Sequence, residues 1–215
     1  MSDPLTLTSL PLFPLNTVLF PGGVLPLRVF EVRYLDMVRK CHRAGAPFGV
    51  VALARGHEVR QAGALPESLY SVGTLAMIEH LEELQAGLMH VRCRGIARFR
   101  VVRQQLLPHG LWTANVEQIP CDTPVQVPPD LQRAASTLTQ VLSSLREQAA
   151  GAAGGPAAHA QPSRTDLQDC GWLANRWCEL LPIPLELKQQ LMQLDNPLVR
   201  LELVSDILAR TGISG

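Results

Sequence analysis

Between Leu10 and Tyr34 the chain reads LPLFPLNTVLFPGGVLPLRVFEVRY, an apolar stretch with prolines at 11, 14, 21 and 26. Each proline removes a backbone N–H and fixes φ near about −65°. Such a stretch cannot form a fully laddered central strand along its whole length. The residues predict a ribbon that runs along an edge, bends at Pro21-Gly22-Gly23 and has Pro26 at an edge or bulge. The periodicity then changes. From Glu31 to Cys41, apolar residues fall at Val32, Leu35, Val38 and Cys41, with Tyr34 and Met37 beside them, which predicts one amphipathic helix that stops at Gly45. An irregular ribbon leading into a single helix is what a small, partly open barrel needs in order to close.

The next residues continue the β reading. Phe48–Leu53 predicts a buried strand and Arg55–Pro66 a polar loop. Tyr70–Leu81 and Met89–Val102 predict two strands joined through Leu84-Gln85-Ala86-Gly87, and Leu111–Ile119 a last strand. After Cys121 the character shifts. Thr123–Pro129 holds three prolines and reads as a linker. Asp130 predicts the cap of a helix to about residue 148, with Leu131, Ala134, Ala135, Leu138, Val141, Leu142 and Leu145 on its apolar face. Residues 149–163 (AAGAAGGPAAHAQPS) carry no large apolar side chain and predict a mobile loop. Thr165-x-x-Gln168 matches a capping box and predicts a helix to about Leu181. Pro184 opens a short helix, and Asn196-Pro197 caps a final one that Gly212 closes. The chain is thus expected to be α+β: a barrel-like subdomain over residues 1–122 and about four helices over 123–215.

Charge and cysteine usage narrow the function. Lys and Arg balance Asp and Glu at 19 each, so a basic surplus for general nucleic-acid binding is missing. Five cysteines without a C-x-x-C suggest neither a disulfide framework nor a zinc knuckle. The N-terminus lacks a basic segment followed by an apolar one, and no apolar run reaches the roughly 18 residues a membrane helix needs. The expectation is a cytoplasmic chain that does not enter membranes.

The pattern LPLFPL, LFPG, LPLRVFE and RY resembles the opening of the Lon protease N-terminal domain family, in its free-standing form. A second block agrees with it: Val72-Gly73-Thr74 leading into Leu75–Leu81, then Val91-Arg92-Cys93-Arg94-Gly95-Ile96-Ala97-Arg98-Phe99-Arg100-Val101. Leu180-Leu181-Pro182 with Glu186, Lys188, Gln189 and Leu191, and later Arg200-Leu201, are similar to the family's helical signatures. Two departures stand out. Val32 replaces the usual proline after the glutamate, and Leu84-Gln85-Ala86-Gly87-Leu88 replaces the usual turn. The resemblance implies a PUA-like pseudo-barrel with one helix, followed by a helical bundle. It also implies recognition of polypeptide substrates, with catalysis residing in other domains.

The residues themselves offer no engine. The only lysines are Lys40 and Lys188, and neither follows a G-x-x-x-x-G-K-[ST] loop that would cradle phosphates. No serine has the context of a Ser–Lys peptidase, and there is no G-x-S-x-G elbow. No cofactor and no metal is expected: Cys41-His42 are adjacent, and His57, His80, His90, His109 and His159 form no H-x-x-x-H pair. Glu79, Glu82 and Glu83 read as a solvated turn and not as an acid/base pair.

Two sets of residues remain as binding candidates. Phe13, Phe20, Phe30 and Tyr34 lie in or just after the ribbon, with Arg28 and Arg33 beside them. They fit either a barrel core fastened by salt bridges or a groove that takes apolar side chains while an arginine orients a carboxylate or carbonyl. Arg92, Arg94, Arg98 and Arg100 share even parity, which puts four guanidiniums on one strand face if Gly95 introduces no bulge. That row suits carboxylates of a neighbouring strand (Glu79, Glu82, Glu83), an acidic partner, or RNA. Polypeptide or protein is the leading partner and RNA the alternative.

Overall fold

The computed structural model describes residues 5–56, 58, 67–151 and 161–212, without the side chains of 149–151. Most of the expected loop over 149–163, part of the 55–66 loop, and both His57 and His159 lie outside the described residues. The chain separates into two compact units. One comprises Met1–Cys121 with Pro184–Gln189, the other Asp122–Ile183 with Gln190–Gly215.

Among the described residues the first unit contains six strands, β1 (Thr6–Leu15), β2 (Val24–Val29), β3 (Phe48–Arg55), β4 (Ser68–Gln85), β5 (Leu88–Leu106) and β6 (Trp112–Gln118), and the helix α1 (Val32–Ala44). They form one mixed sheet in the order β2-β5-β4-β3-β1-β6, and β5 also pairs with β6. The pairing therefore returns on itself through β5. β2 stands outside that circuit with β5 as its one strand partner among the described residues, so the sheet keeps an edge and is a pseudo-barrel, not a closed barrel.

The two faces of the sheet carry separate cores. Phe13, Leu15, Phe48, Val50, Ala76, Val91 and Cys93 pack with Tyr34, Leu35, Met37 and Val38 of α1. Leu10, Leu12, Val51, Leu75, Phe99, Trp112 and Val116 form the other core. Alternation along β1, β3 and β4 distributes each strand between the two. α1 forms where its period predicts, ending at Gly45 in the left-handed region (φ 57°). Val32 departs from the expected stripe: at the helix start it lies 72% exposed.

The prolines resolve differently from the expectation of an edge ribbon. β1 lies inside the sheet order, yet it is handed from one neighbour to the other. Thr6 to Leu12 pair with β6, Leu12 to Leu15 pair with β3, and only Leu12 is matched on both sides. Pro11 and Pro14 thus each sit where one flank carries no ladder, so a missing N–H leaves no carbonyl orphaned there. Thr17–Phe20, apolar as read, forms no strand. Its buried backbone is satisfied instead by the second motif block: Thr74 Oγ1 donates to the Leu19 carbonyl at 2.6 Å. The Pro21-Gly22-Gly23 turn is docked onto Gly95 by Gly22 N–H donating to the Gly95 carbonyl (2.8 Å) and Gly95 N–H to the Gly23 carbonyl (2.9 Å). A Cβ on Gly95 would collide with the Phe20 carbonyl.

The second unit holds α2 (Gln132–Gly151), α3 (Cys170–Leu180) and α5 (Pro197–Thr211), while α4 (Leu185–Gln193) is divided between the two clusters. Two caps differ from the expectation. Asp130 lies within a 3-10 turn, Pro129–Leu131, ahead of α2 and caps no α-helix. The reciprocal capping pair is Ser163 with Asp166, not Thr165 with Gln168: Asp166 Oδ2 accepts from Ser163 N–H at 2.9 Å and Ser163 Oγ from Asp166 N–H at 3.1 Å. That pair closes a short 3-10 turn, and α3 itself is capped by Asp169, whose carboxylate accepts from Gly171 N–H at 2.7 Å. Asn196 caps α5 as expected, accepting from Leu198 and Val199 N–H. Arg200, 1% exposed, is fully engaged. It donates to the Leu191 and Leu194 carbonyls, to Asn175 Oδ1 and to Asp122, with Nη1 2.6 Å from Oδ2. A buried guanidinium so satisfied is a structural rivet.

Candidate functional site

β2 presents its two faces unequally. Leu27 and Val29 point into the core, while Pro26 and Arg28, and Phe30 just beyond, are exposed. Pro26 fits the unbroken β2–β5 register only if its missing N–H would have pointed away from β5. By strand parity the N–H groups of Val24 and Arg28 also point to the open side. Beside this edge lies a groove of about 320 Å³ lined by Phe13, Leu15, Thr17, Leu25 to Glu31, Tyr34 and Glu58.

Four of the six expected residues meet there: Phe13, Arg28, Phe30 and Tyr34. Phe13 and Tyr34 form the floor, stacked at 4.1 Å between ring centroids with 13° between planes. Burial pushes the Tyr34 hydroxyl well above its usual range, although Arg33 beside it acts in the opposite direction, so the phenol stays neutral. Phe30 is 54% exposed and stands at the groove's rim. Phe20 does not line the groove, being fully buried in the core. Arg33 is also spoken for. It pairs with Glu31 at 2.8 Å, donates to the Gly110 carbonyl at 2.6 Å and lies 4.5 Å from the Tyr34 ring centroid. It fastens the start of α1 to the β5–β6 turn. Arg28, by contrast, has no hydrogen bond or ion pair among the described residues.

The arginine row of β5 does not exist as one face. Thr74 pairs with Arg98 and Ala76 with Gly95, so two steps on β4 answer three on β5. This bulge reverses the parity of the strand. Val91 and Cys93 belong to the α1-side core, whereas Ala97 and Phe99 belong to the other. The even residues switch with them: Arg92 and Arg94 share one face, Arg98 and Arg100 the opposite one. Glu79 takes the first pair, lying 3.6 Å from Arg92 Nε and 2.5 Å from Arg94 Nε. Arg98 is 5% exposed. The four-guanidinium face that a nucleic-acid reading required is therefore absent.

Sequence reasoning missed Leu25, Thr17 and Glu58 as groove residues. Glu58 accepts a hydrogen bond from Asn16 N–H, a pairing between residues far apart in sequence that carries no local signal. The alternation of exposed Pro26, Arg28 and Phe30 was the available clue. No group of three or more potential metal ligands occurs among the described residues. No described helix is long and apolar enough to cross a membrane.

A family model for the ATP-dependent protease La (LON) substrate-binding domain matches residues 9–210. The chain belongs to this family. The Lon N-terminal domain protein of Xanthomonas campestris has the same fold, with a TM-score of 0.67 and 32% identity over 93% of this chain and 98% of that one. The N-terminal domain of the Mycobacterium avium complex Lon protease, at 17% identity, shares the fold with a TM-score of 0.54 over 92% of this chain and 96% of that one. The Lon protease of Anaeromyxobacter dehalogenans is 28% identical over 94% of this chain. That of Paraburkholderia phytofirmans is 30% identical over 90%. This LON-family chain spans 23% of the length of each of those two proteases. Its motif residues now have structural meanings. Thr74 and Gly95 hold the Leu19–Gly23 segment, Gln189 donates to the Val72 carbonyl at 2.9 Å, and Arg200 ties together the helix ends of the second unit.

Proposed function

We propose that this chain is a non-catalytic polypeptide-binding module that acts as an adaptor in protein quality control, and that β2 and its groove receive an extended segment of the bound protein. The open edge of β2 beside an aromatic-floored groove carries the reading. Main-chain N–H and C=O groups on such an edge add a strand without regard to sequence, and the groove takes alternate side chains. Phe30 and the Phe13–Tyr34 floor supply apolar contact. The uncommitted Arg28 reaches a carbonyl or carboxylate of the guest. Membership of a substrate-binding family supports the same reading, as does the bulge that breaks up the arginine row.

The test compares Arg28→Pro with Arg28→Ala, using fluorescently labelled peptides blocked at both ends and a carboxymethylated, permanently unfolded polypeptide. Proline removes the outward N–H and leaves the ladder to β5 intact. It should weaken binding by about tenfold or more, whereas alanine should weaken it by only about threefold. Equal affinity of wild type and Arg28→Pro, or no binding of any blocked peptide by the wild type, overturns the β2 assignment.

A further inference from the structure

Pro26 stands in the middle of the open edge of β2, and its nitrogen faces away from β5, as the unbroken register requires. A proline turned to the edge does more than omit a donor. Its ring carbon Cδ takes the place of the amide hydrogen. An added strand lies about 4.8 Å away and brings its carbonyl oxygen to about 2.9 Å from a partner nitrogen. At Pro26 that oxygen would run into the ring. The edge is therefore interrupted as a hydrogen-bonding template.

The interruption divides the edge unevenly. On one side of Pro26, Val24 has outward main-chain groups but does not line the groove, and it follows the Gly22-Gly23 turn clasped to Gly95. On the other side, Leu27, Arg28, Val29 and Phe30 all line the groove. By strand parity the N–H and C=O of Arg28 are the outward pair on this side. Parity also directs the side chains of an added strand. A guest residue level with Val29 turns its side chain the way Val29 points, into the core that Phe13 and Tyr34 share. Its neighbours face outward with Arg28 and Phe30, both exposed.

We infer that Pro26 sets the length of segment that the groove accepts: main-chain pairing is confined to Leu27–Phe30, and the bound polypeptide parts from β2 at Pro26. The guest is then a short extended stretch held by a large apolar side chain against the Phe13–Tyr34 floor. A longer strand, such as the edge of another sheet, gains no further rung. The inference rests on the reading of the β2 groove as a polypeptide site, and adds what that site selects.

The experiment uses the full chain and labelled Ser/Thr peptides of five and eleven residues, each blocked at both ends and carrying one central Phe. With the wild type, the longer peptide should bind within about twofold of the shorter. Pro26→Val restores an outward N–H to an exposed position and leaves the pairing with β5 untouched. It should bind the longer peptide about tenfold more tightly than the shorter, because the ladder can then continue past position 26. Affinity for the shorter peptide should stay within about twofold of wild type, whereas a purely structural role would shift both peptides together. Pro26→Ala, which restores the N–H without β-branched bulk, should show the same length dependence. A tenfold gain with length in the wild type, or no gain in either variant, overturns the inference. Binding of neither peptide by the wild type overturns the β2 site itself and the inference with it, so the two failures are distinguishable.

Discussion

β1 and β2 are both proline-bearing strands of one ribbon, yet the fold uses them in opposite ways. β1 lies between β3 and β6 and from Leu10 onward is largely buried on both faces, with Leu12 at its crossing point fully enclosed. Among the described residues β2 has β5 alone as its strand partner, and it turns Pro26 and Arg28 outward. Proline content does not separate them, because β1 carries two prolines and β2 one. What separates them is coverage. β1 changes neighbours midway and so hides its ladder gaps, whereas β2 has no second strand beside it among the described residues. The open edge is held in place from its opposite face, where Leu27 and Val29 anchor β2 in the core.

The contrast can be broken at the turn that separates the two strands. Gly95→Val should have the largest effect, because its side chain would collide with the Phe20 carbonyl, which accepts from Gly23 N–H, and so force the neighbouring Gly22–Gly95 clasp apart. A loss on the order of 4 kcal/mol or more is expected, seen as a collapse of the cooperative denaturant transition. A pair of truncations sharpens the contrast next. Leu12→Ala in β1 should cost roughly 2–5 kcal/mol, as for other large-to-small core changes. Phe30→Ala beyond β2 should change stability by about 0.5 kcal/mol or less while weakening binding of blocked peptides. Comparable denaturation midpoints for the two would mean that β2 is not the exposed partner described.

The smallest effect is a labelling pattern. Of five free cysteines only Cys121 is exposed, so a thiol reagent should modify one site quickly at neutral pH. Cys93 lies opposite Leu25 of β2, and burial pushes its thiol up to about 12. It should react only as β2 opens, and bound peptide should slow that reaction. An unfolded thiol releases its proton near 9. Burial of neutral Cys93 therefore leaves stability intact below that pH and erodes it as the pH climbs towards 12. Fast labelling of Cys93 in the native protein would show that β2 is loosely held.

Local signals made much of the architecture legible. The period of three and four in α1, Gly45 after it, and Asn196-Pro197 before α5 act within a turn or two of the residues they govern, and each stands where read. Ser163–Asp166 shows the limit of such signals. Its pattern lies two residues from the one first matched, and only the backbone conformation selects between them. The proposed binding residues were half legible. Proline and aromatic spacing marked Phe13, Phe30 and Tyr34, but whether Arg28 or Arg33 stays uncommitted depends on the Gly110 carbonyl, distant in sequence.

The amino-acid sequence by itself determined the family, the helix boundaries near Gly45 and Asn196, and the α+β division, because motif order and capping are encoded among near neighbours. Tertiary structure alone decided the parity of β5. Its bulge beside the Phe20 and Gly23 backbone sends Arg92 and Arg94 to one face and Arg98 and Arg100 to the other. A strand's period of two is local, but the extra residue that reverses it is imposed by a segment more than seventy residues earlier in the chain.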